Sequence, residues 1–315
     1  MTRQELVEAS RRSIKRGSKS FSAASRLFDR TTRERVWMLY AWCRRCDDLT
    51  DAQDMGGELG DQSDIAAKVE HLRAMTAKAL SGEKTGDIAF DAFGQVASEV
   101  GLTMDDAEAV IAGFQLDAED WRPRSETDLM RYCWHVAGAV GVMMALVMGV
   151  QREDDDTLDR ACDLGLAFQL ANIARDVVED DAADRCYLPV EWLVEEDIEP
   201  GQHTKPHHRQ ELADMAARLV RRMEVHAASS RVGAARLPFR SRWAILSAAR
   251  IYTAIGREVR AKGPAAWDQR VYTSKLQKIG HAMAAFVEAL VNRPPELDDE
   301  PRWRRSDLAE NAASA

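Results

Sequence analysis

The chain has little that reads as β-strand. Apolar and polar residues seldom alternate, whereas Ala, Leu, Arg, Glu and Met are abundant. That composition disfavours a sheet and points to an all-α fold. A basic excess is also missing: 43 Lys and Arg stand against 52 Asp and Glu, giving a formal charge of −9. General nucleic-acid binding is therefore not expected. Cysteine is sparse and odd in number, five in 315 residues. No apolar leader of signal-peptide type opens the chain, so a reducing cytoplasm is the expected compartment. Cys43-x-x-Cys46 lacks the second pair that a zinc site needs, and these thiols are expected to pack between helices. No linker, fixed-period repeat or strand-borne G-x-G-x-x-G interrupts the pattern, and one domain over residues 1–291 is expected. From 292 to 315 the chain is Pro-rich, charged and finally Ala/Ser-rich, which suits a frayed tail.

Long apolar runs are also scarce, with one exception. Residues 132–151 carry no formal charge and just reach the length of a membrane span. Their strictly apolar part, 136–150, is shorter, stands alone and lacks flanking aromatic belts. A buried helix beside an apolar tunnel is the better expectation. Ala137, Gly141 and Ala145 recur four apart and make one face nearly flat, fit either for close packing or for a channel.

What the chain does have is concentrated in 163–189, DLGLAFQLANIARDVVEDDAADRCYLP. On a helix, Gln169, Asn172, Asp176 and Asp180 fall within an arc of roughly 80°. Leu164, Leu166, Phe168, Leu170, Ile173 and Val177 flank this stripe, so the helix is expected to be largely buried. Two like charges a turn apart in such a place need a cation. Carboxylate and amide oxygens without His or Cys suit a hard ion such as Mg²⁺. Taken alone, D-x-x-x-D reads first as a solvated acidic face, but a second acidic cluster shifts the balance.

That cluster is CRRCDDLTD at 43–51, where Arg44, Asp47 and Asp51 share one helical face with Asp48 beside them. Two aspartate helices can hold metal ions that grip a polyphosphate. Arg44, Arg175 and Arg185 suit bidentate phosphate contacts, or else pair with neighbouring aspartates. The Gly/Asp-rich stretch 54–64 follows directly and reads as a loop, either plain surface or moving with substrate. Thr2-x-x-Glu5, Thr31-x-x-Glu34 and Thr103-x-x-Asp106 read as helix starts.

SKSF at 18–21, CRRCDDLTD at 43–51, YCWHVAGAVG at 132–141 and QLANIARDVVEDDAADRCYLP at 169–189 occur in that order. Together they resemble the squalene/phytoene synthase family of head-to-head prenyl transferases, over about residues 10–290. The resemblance implies a single-domain helical isoprenoid-synthase bundle around a central apolar cavity. It implies Asp47, Asp51, Asn172, Asp176 and Asp180 as metal-linked diphosphate ligands, with Asp48 and Gln169 beside them. Ser18 and Phe21 would line the prenyl diphosphate site, and Asp117 would either add a polar group there or sit on the surface with Glu119 and Asp120. Tyr252, in a pattern like the family's R-x-Y-x-x-I, would lie in the pocket. Tyr132 and Tyr252 would either face a carbocation or bind diphosphate. The family commonly has Gly-Arg where this chain has Asp184-Arg185.

The implied reaction joins two C20 geranylgeranyl diphosphates through a cyclopropylcarbinyl diphosphate to a C40 hydrocarbon. A C30 product from two farnesyl diphosphates is the alternative, and a non-catalytic helical assembly protein the remote one. Mg²⁺, or Mn²⁺, is the expected cofactor and no nicotinamide is expected. Expected partners are the prenyl diphosphates, a peripheral contact with the inner membrane and downstream carotenoid enzymes.

Overall fold

The computed structural model describes residues 1–50, 64–118, 121–297 and 302–310. Asp51 and residues 54–63 of the expected loop lie outside that set. Among the described residues the chain is helical throughout, without a strand. The helices are α1 (Arg3–Gly17), α2 (Lys19–Ala24), α3 (Arg30–Thr50), α4 (Ile65–Leu80), α5 (Ile88–Val100), α6 (Met104–Ala118) and α7 (Glu126–Cys133). Then come α8 (Ala139–Val147), α9 (Asp155–Ala182), α10 (Val190–Glu195), α11 (Arg209–Ala234), α12 (Phe239–Lys262), α13 (Lys275–Val291) and α14 (Arg305–Glu310). Their contacts form two compact units, one of Met1–Glu119 with Val142–Asp154, the other of Asp120–Gly141 with Asp155–Ala315.

In the first unit α3 packs on α1 and α5. Met38, Leu39, Trp42 and Cys46 of α3 are fully buried, and the Trp42 ring stacks on Phe93 with centroids 4.3 Å apart. The first helix opens with the expected capping box of Thr2 and Glu5, and Thr103 and Asp106 exchange hydrogen bonds as expected. Thr31 does not start α3. Asp29 does: its carboxylate accepts from the Thr32 backbone N–H at 3.0 Å and from the Thr32 hydroxyl at 2.7 Å. Glu34 is instead drawn away by Arg3 and Arg30, at 2.6 and 2.9 Å.

In the second unit α9 is the central rod, packed by α11, α12 and the segment after α7. Leu158, Cys162, Leu166, Leu170, Ile173 and Val177 along it are buried. Between α7 and α8 the helix widens to a π turn at Trp134–Gly138. The run Glu126–Val147 is long and apolar enough to cross a membrane, but two-thirds (67%) of its most apolar window is buried against protein. Leu129, Met130, Cys133 and Met143 are fully buried there, so it reads as a core helix.

The small residues of this helix serve close packing. A Cβ on Gly141 would stand 2.4 Å from the Ala161 carbonyl oxygen, and one on Gly165 would stand 2.3 Å from that of Ala137. The flat face is therefore filled at Gly141 by the α9 backbone; a channel at that point is not what the glycine provides. Ala145 is likewise buried.

Within the expected tail, residues 302–310 are held by specific contacts. Arg305 pairs with Asp155 at 2.6 Å and Asp159 at 3.0 Å, and Leu308 is fully buried. Arg302 reaches buried Asp163, which also binds His226 Nδ1 at 2.6 Å. Opposite charges and one apolar anchor hold down a segment whose composition alone suggests disorder.

Candidate active site

In the first unit the acidic motif lies in the last two turns of α3. Arg44 donates from Nε and Nη2 to Asp48 Oδ1, at 3.0 and 2.7 Å, and lies 3.0 Å from Asp47 Oδ2. Asp48 is buried and Asp47 more open, so of Arg44's two counter-ions Asp47 is the more accessible. Burial opposes the Arg44 charge, but the two aspartates outweigh it and hold its pKa above the usual value. One turn earlier, burial pushes the Tyr40 phenol up. Phe21 approaches the Tyr40 ring at 6.4 Å. Ser18 accepts the Phe21 backbone N–H at 3.2 Å, as the cap of α2. The hydroxyl expected to meet diphosphate thus also fixes the turn that presents Phe21. Asp117 is half-buried near the end of α6. The Cys43 thiol is pushed up to about 12 by burial and by Asp47, which suits a packing role.

In the second unit Gln169, Asn172, Asp176 and Asp180 share the unbroken helix α9, all half-buried. Asp176 is the best-held group. It accepts from Arg175 Nε at 2.7 Å, with Arg175 Nη2 on its other oxygen, and from Arg270 Nη2 at 2.8 Å. Burial opposes the Arg175 charge, but Asp176 outweighs it, and the guanidinium pKa is raised. Arg270 was not expected from the sequence; it sits in the turn before α13, where no periodic pattern marks it. Tyr252 stacks on Phe168 with centroids 4.1 Å apart, and burial pushes its phenol up. Tyr132 is buried between Tyr187 and Trp121, at 4.7 and 5.8 Å.

The end of α9 explains the Asp184-Arg185 departure. The Arg185 N–H returns to the Asp180 carbonyl at 2.9 Å and the Asp184 N–H to that of Asp181 at 3.0 Å. Asp184 between them has φ of +60°. This is the helix stop that normally carries glycine, because its central residue must be left-handed. Aspartate tolerates that conformation better than most residues, so Asp180 and Arg185 keep their places. Asp181 next to them lies 3.7 Å from buried His203, whose pKa burial lowers, and accepts from Thr204. This support comes from the polar loop between α10 and α11.

Among the described residues no three His, Cys, Asp or Glu groups are gathered tightly enough to form a metal cage. Magnesium does not require one: it takes one or two carboxylates and completes its shell with phosphate and water. The all-oxygen stripe of Asn172, Asp176 and Asp180 fits that demand. The arginines now paired to Asp47 and Asp176 can exchange a carboxylate for a phosphate, freeing the carboxylate for an ion.

Arginine–aspartate pairs in each unit and stacked aromatic rings in the second suit an enzyme that handles an anionic group. A profile of the squalene/phytoene synthase family matches residues 14–277, and the chain belongs to that family. It is 43% identical over 309 residues to the phytoene synthase of Pseudescherichia vulneris, covering 97% of this chain and 99% of that one. With the 15-cis-phytoene synthase of Pantoea ananas it shares 43% over 293 residues, 92% of this chain and 94% of the relative. Among solved structures, a dehydrosqualene synthase in complex with ligand superimposes with a TM-score of 0.81 at 25% identity, over 92% of this chain and 98% of the other.

Proposed function

We infer that the protein joins two molecules of geranylgeranyl diphosphate head to head to give phytoene and release diphosphate. The observation that carries this is the 43% identity to a phytoene synthase along nearly the whole of both chains. The C30 alternative is less favoured, since the dehydrosqualene synthase shares only 25%. Because the family profile runs through both compact units, residues 1–291 are read as one catalytic domain.

The first step is loss of diphosphate from an allylic carbon. Arg44, Arg175 and Arg270 would bind phosphate oxygens, with Arg185 a further candidate, and balance the charge that the departing group takes away. Asn172, Asp176 and Asp180, with Asp47 and Asp51, would hold Mg²⁺ or Mn²⁺, which when bound offsets the charge on diphosphate. Phe168 and Tyr252, stacked and half-buried, would offer an aromatic wall to the allylic cation. The raised Tyr252 pKa keeps its phenol protonated near neutral pH, a donor rather than an anion. Tyr132 is locked in its stack, which favours a wall role over diphosphate binding. Ser18, Phe21, Asp48, Asp117 and Gln169 complete the substrate-facing set.

A 40-carbon hydrocarbon has almost no aqueous solubility. The reading therefore includes cytoplasmic action at the face of the inner membrane and transfer of product to downstream carotenoid enzymes. The test is Asp176→Asn, with and without a chelator on wild type. Turnover should fall at least about a hundredfold in the variant and vanish on chelation, with the circular dichroism of the variant unchanged. Normal turnover in either case overturns the metal-linked mechanism.

A further inference from the structure

Among the described residues, one face of α13 packs against nothing. Its inner side packs Ala285 and Ala289 against Ala234 and Leu246, with Trp243 and Ile245 alongside. Its outer side carries Leu276, Ile279, Met283, Val287 and Leu290, all between 58% and 81% exposed. At about 100° per residue these five fall within an arc of roughly 80°. Gly280, Ala284 and Val291 extend the arc, and no polar residue interrupts it. Over 17 residues the strip is about 25 Å long. Soluble surfaces seldom leave such a contiguous strip uncovered.

Charge selects the occupant. Lys275 at the start of the helix and Arg293 just past its end are exposed. Glu288, the one acid of the helix, is turned to Arg250 and Arg231 of the same chain. If two copies paired through this face about a two-fold axis, cation would meet cation in either direction. An anionic lipid surface instead meets the rim with opposite charge and the strip with hydrocarbon. Tyr272, 78% exposed just before the helix, presents the apolar ring and polar tip that favour that boundary.

We propose that α13 is the membrane-docking element, lying flat in the headgroup region of an anionic bilayer with Leu276, Ile279, Met283, Val287 and Leu290 toward the acyl chains. It begins five residues after Arg270, which touches Asp176, so the catalytic carboxylate is tied by a short turn to the lipid-bound helix. The proposal rests on the peripheral membrane contact inferred above and names the surface that makes it.

The test is vesicle flotation of the full chain on phosphatidylcholine with and without about 30% phosphatidylglycerol. Wild type should float with the anionic vesicles. Ile279→Ser with Met283→Ser should weaken that partition about tenfold, and Lys275→Gln with Arg293→Gln should weaken it several-fold. The Ile279/Met283 variant should keep its turnover on detergent-dispersed substrate, because those side chains are exposed and outside the site. Equal binding to neutral vesicles, or full binding by either double variant, overturns the proposal. So does a wild-type dimer in sedimentation velocity that the Ile279/Met283 variant abolishes without any vesicle binding. Phytoene made in detergent by a protein that never floats refutes the docking helix alone. Flotation without a C40 product refutes the assigned reaction alone.

Discussion

Arg270 donates to Asp176 across 2.8 Å although the two residues are 94 positions apart. Arg175, adjacent in sequence, holds the same carboxylate. Asp176 thus has one counter-ion supplied by its own helix and one supplied by the turn before α13. Arg175 is half-buried and committed, whereas the Arg270 side chain is 57% exposed and freer to follow a ligand.

Arg270→Ala is expected to raise KM for the prenyl diphosphate several-fold while lowering kcat less, because a mobile guanidinium contributes mainly to phosphate binding. Arg270→Lys should recover part of the loss. Steady-state kinetics of the two variants distinguish this from a structural role, which would leave KM unchanged.

Much of the candidate site is legible in the sequence because it is periodic. Gln169, Asn172, Asp176 and Asp180 reveal themselves by spacing on one helix, and the apolar flanks show which faces are covered. Arg270 is not legible in that way, since it lies in a turn and its partner is distant. The start of α3 is hidden for a related reason: Thr31 and Glu34 have the right spacing, but Asp29 caps the turn and Arg3 engages Glu34. The docking of Arg302, Arg305 and Leu308 is hidden because a few specific contacts outweigh a disorder-like composition. Gly141 was visible as a small residue, but only packing distinguishes a filled groove from a channel.

Asp184 stores a small amount of backbone strain at φ +60°, and its 3.5 Å ion pair with Arg122 leaves its own side chain almost fully solvent-exposed and is worth little. Asp184→Gly is therefore expected to stabilise the protein by up to about 1 kcal/mol, a rise of roughly 1–3 °C in melting temperature. Asp184→Ala should lower it. Calorimetry on the pair checks this, and a fall in both would show that the side chain, not the backbone, matters.

Glu99 predicts an acid sensitivity in the first unit. Burial raises its pKa, but hydrogen bonds from Arg3, Arg35 and Gln95 outweigh burial and lower it from 4.5 to about 2. The folded form is thus the stronger acid. Its stabilising contribution is complete above pH 4.5 and is lost as pH falls from there toward about 2. Allowing for the partial exposure of Arg3, this is about 1–2 kcal/mol. Glu99→Gln should flatten the pH dependence of unfolding in that window; an unchanged acid limb would remove Glu99 from the account.

The most direct measurement weighs the hydrocarbon formed when the purified protein is given Mg²⁺ with geranylgeranyl diphosphate or farnesyl diphosphate, alongside kcat/KM for each. Each five-carbon unit adds several CH₂-equivalents of apolar surface, at about 0.8 kcal/mol apiece, so a pocket matched to C20 should discriminate clearly. The predicted result is a C40 product with the mass of phytoene and a kcat/KM favouring geranylgeranyl diphosphate by at least about tenfold. A C30 product with farnesyl diphosphate as the better substrate would contradict the assignment.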